Sequence, residues 1–156
     1  MGKSQKGLSI DVLQSRESIS KQENGRRKIQ PGLTRQFISK YNNPWLALEV
    51  VNEYIGWGVT QLDGLRAKDD RYLLQLILEK ELKEALETIT YVKWTEDIYR
   101  IHSMELQDIQ KTAETMTRVI HFATLYLATI CETYDISWLK AWKDHHKELK
   151  SKGYVI

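Results

Sequence analysis

One cysteine, two prolines and eight glycines are all that this chain of 156 residues holds of the residue types that staple or punctuate a fold. A single cysteine, Cys131, cannot close an intramolecular disulfide. A disulfide-stapled secreted scaffold is thereby excluded, and a reducing, intracellular compartment is the expectation. So little Pro and Gly favours long helices over many short strands. No apolar run reaches the roughly 18 residues of a membrane span. The N-terminus has no apolar core of a signal peptide. It begins Met1-Gly2, yet Lys6 stands where N-myristoylation wants Ser or Thr. Neither sign of charge dominates, with 23 Lys/Arg against 21 Asp/Glu and a net charge of +2. Paired-Cys zinc motifs, Gly-rich phosphate loops and a Ser/His/Asp set are missing too, which weighs against the commonest enzyme classes.

What is present is helical. Hydrophobic residues make up 42% of the chain, and five Trp, eight Tyr and two Phe supply large areas to bury. The longest periodic stretch spans 103–134. Its apolar residues fall at Ile109, Ala113, Met116, Ile120, Ala123, Leu127, Ile130 and Tyr134. Steps alternating between four and three are the mark of a helical seam. Neither Gly nor Pro interrupts it, and such a helix is about 45 Å long. Its second half also holds Phe122, Leu125 and Tyr126 off the stripe, so it is apolar nearly all round, as a buried helix is. Cys131 lies there and reads as a buried structural thiol.

The other segments arrange themselves about this post. Residues 1–32 are polar and basic and read as a flexible tail. A single α-helical domain is expected over 33–156. A short helix with Leu33, Phe37, Ile38 and Tyr41 on one face comes first. Asn43-Pro44 is a helix start, cap then first helical residue, with Trp45, Leu48, Val51 and Ile55 facing inward. Asp63-Gly64 closes that helix, and Lys68-Asp69-Asp70 opens the next, which runs to about Ile89. Its inner side is Leu74, Ile77, Leu78, Leu82, Ala85, Leu86 and Ile89, and its charged side includes Glu79, Lys80, Lys83 and Glu87. Thr95-Glu96-Asp97 caps a short segment, Ser103 caps the long helix, and Ser137 caps a final one ending near Gly153. The expected fold is all-α: a compact bundle of about four main helices around the long central one.

Charge is unevenly spread. Residues 1–31 hold seven Lys/Arg against three Asp/Glu, and residues 138–156 hold five against two, so the middle is acidic. Arg26, Arg27 and Lys28 form a small basic cluster suited to an acidic surface or to nucleic-acid phosphates. Trp138 and Trp142 share a helix face beside lysines, and Trp is prominent in interface hot spots. Asp144-His145-His146 offers metal-ligand residue types, but adjacent positions point about 100° apart on a helix.

Glu81 and Glu84 sit three apart where the apolar and charged sides of their helix meet. Two such carboxylates can share Mg²⁺, and Glu49 and Glu53 on the preceding helix could add a second pair. The stretch Leu76-Ile77-Leu78-Glu79-Lys80-Glu81-Leu82-Lys83-Glu84-Ala85 resembles the first acidic motif of the MazG-like all-α nucleotide pyrophosphohydrolases, which reads EExxE. The resemblance implies Mg²⁺-dependent cleavage of nucleoside triphosphates to monophosphate and pyrophosphate, with Glu81, Glu84 and Glu114 in the site. Here Lys80 replaces the first Glu of that motif. The family's second motif, ExxD, meets Glu114 with Thr117 and Arg118, a cation where a ligand is needed. The leading expectation is therefore non-enzymatic: a small helical module that binds a protein partner or a second copy of itself. A divergent MazG-like hydrolase is the alternative.

Overall fold

A computed structural model describes residues 4–56, 58–62, 71–94 and 102–156. Among them the chain is all-α, with seven helices and no strand. The expected helix starts at 68–70 and 95–97, the turn at 63–64, and Trp57 lie outside the described residues. The chain divides into two compact units, Met1–Val50 with Ser137–Ile156, and Val51–Ile136.

In the first unit, α1 (Gln5–Asp11) and α2 (Arg16–Glu23) form within the stretch expected as a flexible tail. Serine caps explain where they start: Ser4 accepts from the Gly7 N–H and Ser15 from the Ser18 N–H. Val12 and Ile19 are buried and tie the pair down. These are two single apolar residues too widely spaced to show as a period, so the sequence pattern passes over them. Helix α3 (Pro31–Tyr41) has Pro31 at its start and Asn42 in a left-handed conformation, φ 46°, at its end. Lys40 holds Asp11 at 2.6 Å, and the Tyr41 hydroxyl donates to the same carboxylate.

Helix α4 is Pro44–Ile55, and Asn43 caps it by accepting from the Leu46 N–H at 2.9 Å. Its last turn falls in the second unit, where Val51 and Ile55 are exposed instead of inward. Helix α7 is Trp138–Ser151, capped by Ser137 as expected. Asn42 adds a second cap, since its side-chain oxygen accepts from the Leu139 N–H at 2.9 Å. One residue thus ends α3 and begins α7. At the far end Gly153, φ 72°, lets the Tyr154 N–H reach the Leu149 carbonyl and close the last turn.

The second unit is dominated by two helices, α5 (Arg71–Ile89) and α6 (Ser103–Thr133). They pack on one another. His102, not Ser103, is the cap of α6; Glu105 reaches back and accepts from the His102 N–H at 3.0 Å. Helix α6 keeps the length read from the sequence, but its buried line differs. Thr115, Leu125, Ala128 and Cys131 are buried, while Ile120 and Tyr134 of the expected stripe are exposed. On α5 the buried residues are Leu78, Glu81, Ala85 and Thr88, and Leu82, Leu86 and Ile89 are exposed.

Candidate functional site

The direction of the α5–α6 pair follows from three contacts. The Thr112 hydroxyl donates to the Thr88 carbonyl at 3.0 Å. Arg118 reaches Glu81 at 2.7 Å and Glu84 at 3.0 Å. Residue numbers fall on α5 as they rise on α6, so the helices are antiparallel. The seam between them is small and polar for much of its length. Thr88 and Thr115 are buried because their hydroxyls return to their own helices, onto the Ala85 and Lys111 carbonyls. Arg118 also donates to the Thr115 hydroxyl at 3.3 Å.

Glu81 is the buried charge of this seam, with its side chain 8% exposed. Arg118 neutralises it, and a buried carboxylate needs such a partner. The hydrogen bond to Glu81 raises the guanidinium pKa above its ordinary value; burial opposes this, and the charges of Glu81 and Glu84 reinforce it. The two carboxylates that the MazG resemblance gives to Mg²⁺ are therefore both held by an arginine. Glu114 and Glu49 are exposed. Among the described residues no group of three or more His, Cys, Asp or Glu is placed to hold a metal ion. Within the seam's reach, the chemistry on offer is charge neutralisation and hydrogen bonding.

The flanks of the pair differ sharply. Glu84 and Arg118 mark one flank. Leu82, Leu86 and Ile89 lie about 80° round α5 from its buried line, on the other side from Glu84. Ile109, Met116 and Ile120 lie about 120° round α6 from Thr115, on the other side from Arg118. In antiparallel right-handed helices the same rotational sense leads to the same flank. The two rows therefore run side by side, away from the ion pair. Leu86 is 69% exposed and Ile120 59% exposed, and Leu82 and Ile89 are exposed with them. Ala113 is exposed between the half-buried Ile109 and Met116. The two helices bury Thr88, Thr115 and Glu81 together with Leu78, Ala85 and Leu125, and leave Leu82, Leu86, Ile89 and Ile120 outside.

The other residues singled out in the sequence fall elsewhere. Trp138 is a core side chain, 6% exposed, with its ring 5.7 Å from that of Trp142 in an edge-to-face arrangement. Of the two tryptophans read as a shared interaction face, Trp138 is buried and Trp142 is exposed. Arg26, Arg27 and Lys28 are exposed, and Arg27 donates to the Ser18 hydroxyl at 3.5 Å. His145 packs against Trp142, with ring centroids 6.4 Å apart. His121 meets the Phe122 ring edge-on at 5.3 Å, and burial pushes its pKa below the ordinary value. Burial likewise pushes the Cys131 thiol up, which suits an inert buried cysteine. The spacing of Leu82, Leu86 and Ile89 predicts an inward row on α5, whereas all three are exposed.

No family model matches the chain, and no curated protein or solved structure is similar to it.

Proposed function

We propose that this chain is a small non-enzymatic helical module for protein–protein interaction or assembly. The observation that carries the reading is the uncovered flank of α5 and α6, where Leu82, Leu86, Ile89 and Ile120 form adjacent exposed rows. Scattered single apolar residues need no explanation, whereas a contiguous apolar face rimmed by polar residues marks an interaction surface. The exposed Arg26, Arg27 and Lys28 give the N-terminal segment a basic patch that adds attraction toward an acidic surface. A hydrolase would first have to strip Arg118 from Glu81 and Glu84. That costs the pairing of a buried carboxylate before any metal arrives, which is why the enzymatic reading ranks second.

The test has two arms. A benzophenone amino acid placed at Leu86 is expected to cross-link a defined protein, or a second copy of the chain, in the cells that make it; placed at Leu76 it is expected not to. In the second arm Mg²⁺ and nucleoside triphosphates are titrated calorimetrically into wild type and Glu81→Gln/Glu84→Gln. No saturable heat and no pyrophosphate are expected. Pyrophosphate released by the wild type and lost in the variant would overturn the proposal.

A further inference from the structure

We propose that the outer face of α7 is a separate binding surface, one that takes the phosphodiester backbone of a nucleic acid. It is carried by observations independent of the α5–α6 flank. The two units differ in charge. Met1–Val50 with Ser137–Ile156 holds fourteen Lys/Arg against six Asp/Glu, and Val51–Ile136 holds nine against fifteen. Every described Lys and Arg of the first unit is exposed. On α7 these cations are ordered into a row. At 100° per residue, Lys140, Lys143, Lys147 and Lys150 fall within an arc of about 80°. The buried Trp138 and the half-buried Leu149 lie on the opposite side of the helix. Asp144 and Glu148 stand beside the row, where they pair with Lys147 at 3.2 Å and Lys152 at 2.5 Å. Among the described residues Lys140, Lys143 and Lys150 have no carboxylate partner.

The row works against the helix that carries it. Lys140–Lys143, Lys143–Lys147 and Lys147–Lys150 are like charges three or four residues apart, and each such pair destabilises a helix. Lys140 also lies in the first turn, at the end where the dipole favours anions. A linear polyanion laid along the row relieves both penalties. Successive lysines rise about 4.5, 6 and 4.5 Å, so the row is about 15 Å long. One strand of a duplex advances about 3.4 Å per phosphate, so the same length presents about four phosphates. The row meets a nucleic acid charge for charge. An acidic protein offers so regular a run only where its chain is acidic throughout. An anionic bilayer fits less well, because an interfacial helix buries its apolar face in lipid, and on α7 that face is taken up by the protein through Trp138. The helix holds no Arg, Asn or Gln, the forked side chains that read base edges, so its binding is to the backbone and without sequence preference.

Fluorescence anisotropy of short labelled duplex DNA and single-stranded RNA, titrated with the full chain between about 50 and about 200 mM salt, tests it. Saturable binding is expected, with log affinity on the duplex falling against log salt at a slope of about −3 to −4, as three or four lysines on phosphates require. Lys143→Gln/Lys150→Gln is expected to bind about tenfold or more weakly, with a slope shallower by about two. Lys83→Gln/Lys111→Gln removes as much charge from exposed positions of the other unit and is expected to bind as wild type does. Helicity by circular dichroism is expected to be unchanged in both; should the α7 variant lose it, Lys143→Ala/Lys150→Ala is read in its place. No measurable binding of either nucleic acid at the lower salt overturns the proposal. Equal weakening by the two double variants does so as well, since overall charge and not this face would then be responsible. Tighter binding to phosphatidylserine vesicles or to poly-glutamate than to both nucleic acids also overturns it, and assigns the face to a membrane or to an acidic protein.

Discussion

Truncating Leu125 and Ile120 to alanine, one at a time, separates two arrangements of α6. Leu125 is 2% exposed and Ile120 is 59% exposed. A fully buried Leu→Ala loses its transfer free energy and leaves a cavity, about 3 kcal/mol in all. Ile120 keeps most of its surface in water, so Ile120→Ala removes less than half of a full transfer term and leaves no cavity, about 1 kcal/mol or less. With a urea slope of about 2 kcal/mol/M, the midpoint falls by about 1.5 M for Leu125→Ala and by about 0.5 M or less for Ile120→Ala. The bare sequence, which reads the second half of α6 as apolar nearly all round and buried, expects comparable losses at the two positions. The assay is urea unfolding followed by helical circular dichroism at low micromolar protein. Equal losses at low concentration, or a larger loss for Ile120→Ala, would refute the burial described for α6.

The ion pair and the histidine give further checks. Arg118→Met leaves Glu81 buried without its cation and is expected to lower the thermal midpoint, whereas adding Glu81→Gln to it recovers much of the loss; a double variant as unstable as the sum of the two singles would show that the pair is not coupled. Burial holds the folded-state pKa of His121 below its unfolded value of about 6.5. At high pH both states are neutral there and nothing is lost; as pH falls below about 6.5 the unfolded chain takes the proton first, so stability declines until the folded pKa is passed. His121→Asn is expected to flatten the decline in stability as pH falls below about 6.5 relative to wild type, measured by urea midpoints at each pH.

Much of the fold was legible in the chain. Asn43-Pro44, Ser137 and Gly153 stand where capping chemistry puts them, and α6 has close to the span its uninterrupted period implied. Caps and breakers act within four residues, so their signal is local. Two features of the structure were not legible for a shared reason. Val12, Ile19 and Trp138 are buried, and burial depends on what packs against a side chain, which periodicity does not record. The site was legible only as residue types. Glu81 and Glu84 were noticed as carboxylates with Arg118 as a cation in the way, but the distances of 2.7 and 3.0 Å that join them come from the antiparallel register.

The sequence alone determined that the chain is helical, where most helices begin and end, and that α5 and α6 each carry a sustained apolar row. Periodicity records that a row exists; it says nothing of what covers it. Only the tertiary structure decided that α5 and α6 meet through Thr88, Thr112, Thr115 and the Glu81–Arg118 pair. Neighbouring helices choose their contact by fit and by the need to satisfy buried polar groups as well as by apolar area. With Thr88, Thr115 and the Glu81–Arg118 pair in the seam, Leu82, Leu86, Ile89 and Ile120 beside it lie outward.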